Sequence, residues 1–286
     1  MKLRVSFLLC CCIFFTVFFC ACESEQVKQA KTAYKDGNYS EVVELLSKEE
    51  NLSDSAQDML TVSEANVMYE NKEYMEAVKK LASSKDGVKA EQFEEMFNAA
   101  LTDAIANKSP ENVIELLKID ESKSDAVYEA VTRACNDKDY NGFVVLDGLV
   151  EKIEDGDLKT KLAAFSDEYT ILRSEAFLVG TWERQNEELE TNARVEIVPY
   201  NNNFIGKLVV VGDDQKQWHF QEGDIFMQDF EFEDAQSFLY TNLVRFVDGT
   251  PDKFPSSGTI DFKNGVITTK TTGTDNPDVS YKRIDE

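Results

Sequence analysis

The sequence predicts a multidomain α + β chain: an N-terminal solenoid of α-helical hairpin repeats, then a small antiparallel up-and-down β-barrel or sandwich. Three observations predict it. Composition changes near residue 178: residues 23–177 contain one proline and no tryptophan, whereas residues 178–286 contain four prolines, both tryptophans and eight of the thirteen glycines. Apolar residues recur at helical spacing in the first stretch and at every second position in the other. The helical stretch also repeats itself at a step of 35 residues, as expected where each helix pair must stack on neighbours to bury its apolar faces.

The first element is an address. Lys2 and Arg4 form a short basic head, residues 5–21 are an uncharged run of 17, and Glu23 opens an acidic body. That order is the form of a secretory signal, although a run of this length also suits an uncleaved anchor. Ordinary secretion is the third reading. Phe19-Cys20-Ala21-Cys22 places a small residue before cysteine at the end of the apolar run, and so resembles the lipobox of bacterial lipoproteins. The resemblance implies a signal peptide over 1–21, cleavage after Ala21, lipidation of Cys22, a lipid-anchored linker over 22–26 and an extracytoplasmic body held at the cell membrane. Five of the six cysteines then lie in or at the end of the signal, and Cys135 alone remains in the body. No disulfide framework is expected.

Residues 27–177 carry the repeats. Ala30, Tyr34 and Tyr39 are matched by Ala65, Tyr69 and Tyr74, each 35 positions on. A third copy contains Ala100, Ala104, Ser109-Pro110 and Leu116. A fourth, after a shorter step, contains Val131, Cys135, Tyr140 and Val144. Alanine lets paired helices approach closely, and Ser109-Pro110 has the form of a helix start. A last helix over about 158–177 is expected to cap the stack. The spacing and the small and aromatic positions are similar to tetratricopeptide (TPR) repeats over 27–150. That resemblance implies a concave face able to hold a partner segment; the competing reading is a spacer.

Residues 178–286 are expected to form eight or nine short strands, at 178–185, 193–199, 204–211, 215–221, 224–233, 237–246, 259–262, 266–271 and 279–284. Asn264-Gly265 between two alternating runs is a strong hairpin signal. Gly180-Thr181-Trp182 at the start of the first strand resembles the GxW motif of lipocalins. By that resemblance Trp182 closes one end of a barrel and Arg283 stacks across it. Two readings of the interior stay open: side chains fill it, or a small apolar ligand lies among Phe226, Phe230, Phe238 and Tyr240.

Charge narrows the partners. Thirty bases against 54 acids give −24, and loss of residues 1–21 removes two bases and no acid, leaving −26. Nucleic acid and anionic lipid surfaces are disfavoured as partners, so membrane attachment falls to the lipid and a protein partner is expected to be basic or apolar. His219 is the only histidine, which excludes sites that need two. Asp137-x-Asp139-x-Asn141-Gly142 reads like part of an EF-hand loop, but the twelfth position is Gly148 rather than Glu, and the repeat already accounts for the stretch. No metal, cofactor or catalytic residue is expected. The expected function is a non-enzymatic protein-binding or scaffold module. A small-ligand carrier using the barrel is the alternative, and a hydrolase using acids alone is the third reading.

Overall fold

Ser24 opens the first helix: its side-chain oxygen accepts the Val27 amide at 3.2 Å, satisfying one of the unpaired donors of α1 (Glu25–Lys35). Ser53 does the same for Ala56 at the start of α3 (Asp54–Glu70). The computed structural model describes residues 24–84, 90–185, 193–246, 248–273 and 277–284, so the expected signal and Cys22 lie outside the described residues. The described residues divide into two compact units, those up to 104 with 115–121, and those of 105–114 with 122 onward.

In the first unit α1 pairs with α2 (Tyr39–Leu46), and α3 pairs with α4 (Tyr74–Ala82) and packs on α2. Val27, Ala30, Ala33, Val42, Leu46, Ala56, Met59 and Leu60 form one core. The two pairs share a turn. After α1, the Asn38 amide donates to the Ala33 carbonyl and Gly37 to Tyr34; after α3, Glu73 donates to Met68 and Lys72 to Tyr69. This double bond pattern is the Schellman ending, and it needs a left-handed residue at its centre. Gly37 has φ +75° and Lys72 φ +65°. The turn then sets the next tyrosine against the previous one, edge to face, at 5.9 Å for Tyr34–Tyr39 and 5.5 Å for Tyr69–Tyr74.

Helices α5 (Ala90–Ala106) and α6 (Pro110–Ile119) contribute to both units. In the second unit, α7 (Ser124–Asn136) and α8 (Tyr140–Lys152) repeat the turn: Asp139 donates to Ala134, Lys138 to Cys135, and Lys138 has φ +58°. Here the helices approach so closely that a Cβ on Gly142 would sit 2.8 Å from the Ala134 Cβ. The single expected helix over 158–177 is two, α9 (Asp157–Glu168) and α10 (Thr170–Leu178). The break falls at Tyr169, whose ring stacks on Phe165 at 4.4 Å.

Eight antiparallel strands in sequence order close into a barrel: β1 (Gly180–Gln185), β2 (Arg194–Tyr200), β3 (Asn203–Val210), β4 (Ile225–Phe232), β5 (Ser237–Arg245), β6 (Pro251–Asp261), β7 (Val266–Thr271) and β8 (Val279–Ile284). β1 and β8 complete the ring, with Trp182 opposite Arg283. The expected strand over 215–221 is instead a short helix, α11 (Asp213–Gln217), and a turn. The Gln215 side chain reaches back to accept the Gly212 amide at 3.0 Å, which favours a helix start over an extended chain. β6 begins eight residues before the expected strand despite Pro251 and Pro255. Both prolines precede the residues of β6 that pair with β7, and the Pro255 carbonyl accepts the Thr272 amide, so its nitrogen faces away from β5 and costs no bond to that strand. Helix becomes strand between Leu178 and Gly180, where the composition changes. The packing division lies elsewhere, because Phe177 and Leu178 of α10 sit in the barrel core and Tyr140 of α8 packs against it.

Candidate functional site

Where β1 and β8 meet the end of α10, a cation lies among rings. Trp182 is fully buried and its indole N–H donates to the Leu178 carbonyl at 2.8 Å, tying β1 to the end of α10. The Arg283 guanidinium lies 5.9 Å from the Trp182 ring centre, 5.7 Å from Phe177 and 5.0 Å from Tyr140, and donates to the Phe177 carbonyl. Phe177 meets Tyr140, Trp182 and Phe262 edge to face at 5.0, 5.3 and 4.9 Å. Gly180 is required here: it has φ +145°, and a Cβ would lie 3.2 Å from Arg283 Nη2. The strand register thus brings together the two residues the GxW pattern singled out. Tyr140 and Phe177 were not legible as partners of Arg283, because they belong to helices more than 100 residues from it.

Around this cluster residues of α8, α10 and the α7–α8 turn contact the barrel. Ser174 donates to the Ala235 carbonyl at 2.6 Å, and Arg173 spans Asp147 (2.6 Å) and the face of Phe262 (4.6 Å). Lys138 pairs with Glu175 at 2.7 Å and lies 5.3 Å from the centre of Phe204. Burial pushes the Asp147 carboxyl above the usual aspartate range, and Arg173 offsets part of that.

Of the four residues proposed to line a ligand cavity, three are buried against one another. Phe230 stacks on Tyr240 at 5.6 Å with an 18° tilt, and Phe238 lies 5.6 Å from Phe230 and 5.9 Å from Tyr240. The Tyr240 hydroxyl hydrogen-bonds Thr269 and Ser256, while burial holds its pKa above the ordinary tyrosine value. Phe226 is half-buried and meets Phe220 at 5.6 Å instead.

No protein-family model, no curated protein and no solved structure matches this chain.

Cys135 is fully buried at the position equivalent to Tyr34 and Tyr69. Burial, then the nearby Asp147 and Asp139 carboxylates, push its thiol up to about 12. Residues 137–139 form the α7–α8 turn, where the Asp139 side chain accepts the Asn141 amide at 2.9 Å and so caps α8. His219, expected in a strand, is exposed in the turn after α11 with φ +62°. Among the described residues no group of acids, His and Cys is arranged to hold a metal ion, and no helix is long and apolar enough to cross a membrane.

Proposed function

We propose that this chain is an exported bacterial lipoprotein, anchored through Cys22, whose TPR-like helix pairs and lipocalin-like barrel make a non-enzymatic scaffold for a protein partner. The observation that carries the proposal is the recurrence of one helix-pair unit, with the same double-bonded turn at Gly37, Lys72 and Lys138 and the same tyrosine contact 35 residues apart. Units that stack in this way create extended side-chain surfaces suited to holding another chain. Packing of Phe230, Phe238 and Tyr240 on one another favours a scaffold over a carrier, since those rings satisfy each other's apolar surface. The Trp182–Arg283 stack favours the lipocalin-like reading of the barrel.

Anchoring rests on Phe19-Cys20-Ala21-Cys22 and on charge. A body of 28 bases and 54 acids is repelled by anionic lipid, so acyl chains rather than a basic patch supply the attachment. The same charge favours a basic or apolar partner. Affinity recovery from detergent-solubilised envelopes with residues 23–286 is expected to yield one stoichiometric protein; recovery of a bound small molecule alone would sink the scaffold. Cys22→Ser is expected to abolish acylation, and continued lipid labelling of that variant would refute the anchor.

A further inference from the structure

The second unit contains a cleft of about 460 Å³ whose charge is opposite to that of the chain around it. Asn107 and Lys108 form one wall, Asn141 of α8 a second, and Gly180 and Thr181 at the start of β1 with Arg283 near the end of β8 the third. Among the described residues that line it are two basic ones, Lys108 and Arg283, and no acid, in a chain where acids outnumber bases 54 to 30. Such an inversion concentrates small anions locally while the surrounding field repels large ones.

The cleft is built rather than incidental. Arg283 is preorganised by three rings and by the Phe177 carbonyl, and its Nη2 lies toward the side-chain-free wall at Gly180, 3.2 Å from where a Cβ would stand. The opposite wall is tied across: Asn141 Nδ2 donates to the Ala106 carbonyl at 3.3 Å. Lys108 is held in the left-handed conformation, φ +55°, with its amide on the Ile105 carbonyl at 3.1 Å. Two basic residues lining one cleft with the amide-bearing Asn107 and Asn141 and the hydroxyl-bearing Thr181 match one dianionic tetrahedral group, which offers many acceptor positions and two charges.

We propose that this cleft binds the phosphate group of a small, freely diffusing solute. Polyanions and anionic membranes carry the same chemistry, but approach of either brings many negative charges against the acidic body. The inference does not depend on the scaffold reading. The test is titration of the full chain in detergent micelles with inorganic phosphate up to about 20 mM, read by backbone amide shifts. Saturable shifts are expected at Lys108, Asn141 and Thr181.

Lys108→Gly removes the ammonium and suits the left-handed turn, so it tests the charge without straining the fold. It is expected to weaken phosphate binding at least tenfold, as is Thr181→Val to a smaller degree, about threefold. Lys270→Gln, on an exposed position of β7, is expected to leave binding unchanged. Absence of shifts at the cleft, or equal affinity in the Lys108→Gly variant, would overturn the proposal. Capture on vesicles containing phosphatidic acid that Lys108→Gly abolishes would overturn the free-solute assignment in favour of a lipid headgroup.

Discussion

Replacing Gly258 with alanine introduces a methyl group 2.2 Å from Cζ of Phe238, with Cε2 and Cε1 at 2.6 and 2.7 Å. Carbon atoms settle at about 3.5–4.0 Å, so the ring must retreat by more than about 1 Å. It has nowhere to go: Phe238 is fully buried, with Phe230 at 5.6 Å and Tyr240 at 5.9 Å. Overpacking of this kind costs about 3 kcal/mol. The lower chain entropy of alanine in the unfolded state returns about 0.5 kcal/mol, leaving Gly258→Ala destabilised by about 2.5 kcal/mol. Phe238→Leu alone should cost about 1–2 kcal/mol through lost ring contacts. The double variant should cost little more than Phe238→Leu, because the methyl occupies vacated space; the coupling is about 2 kcal/mol. Urea unfolding followed by tryptophan emission reads this directly, since Trp182 lies in the barrel core. A Gly258→Ala chain within about 0.5 kcal/mol of the parent, or additive single effects, would show that the interior is not filled by this ring.

The left-handed turns separate two lysines. Lys72→Gly should raise stability by about 0.5–1 kcal/mol by relieving a conformation that disfavours a side chain. Lys138→Gly should give no gain, because it also removes the Glu175 pair and the contact with Phe204; thermal unfolding by circular dichroism distinguishes them. Cys135 should resist maleimide at pH 8 in the folded chain and react once unfolded, in line with a thiol pKa pushed up to about 12. Because the folded state keeps a proton that the unfolded chain releases above about pH 9, this thiol's contribution falls as pH rises from about 9 to 12. Its loss reaches about 4 kcal/mol, an order-of-magnitude figure, at the upper end. A Cys135→Ala chain should lack that component of the pH slope, and an identical slope in both would refute it.

Much of the architecture was readable in one dimension because it rests on periodicity. Ala30, Tyr34 and Tyr39 and their matches 35 residues later predict two helix pairs with tyrosines at the turn, and the Tyr34–Tyr39 and Tyr69–Tyr74 contacts are that pattern in space. Alternating apolar positions likewise predicted most of the strands. Local competition defeated the pattern at 215–221, where a glutamine cap outweighs an alternating run, and at Tyr169, where one expected helix becomes two. Gly37 announces its left-handed turn; Lys72, Lys108 and Lys138 do not, because lysine reaches that conformation only when the surrounding bonds impose it.

What the sequence determined by itself was which segments coil, which extend and which faces are apolar, since those follow from spacing along a chain whose neighbours are near in sequence. Tertiary structure alone decided what those faces meet. It set Phe177 and Tyr140 beside Arg283, drew α10 into the barrel core and gathered Lys108, Thr181 and Arg283 around one cleft. Each of these joins residues tens to more than a hundred positions apart. Their proximity depends on barrel closure and on the direction in which α10 enters β1, and neither leaves a local signal for the chain to carry.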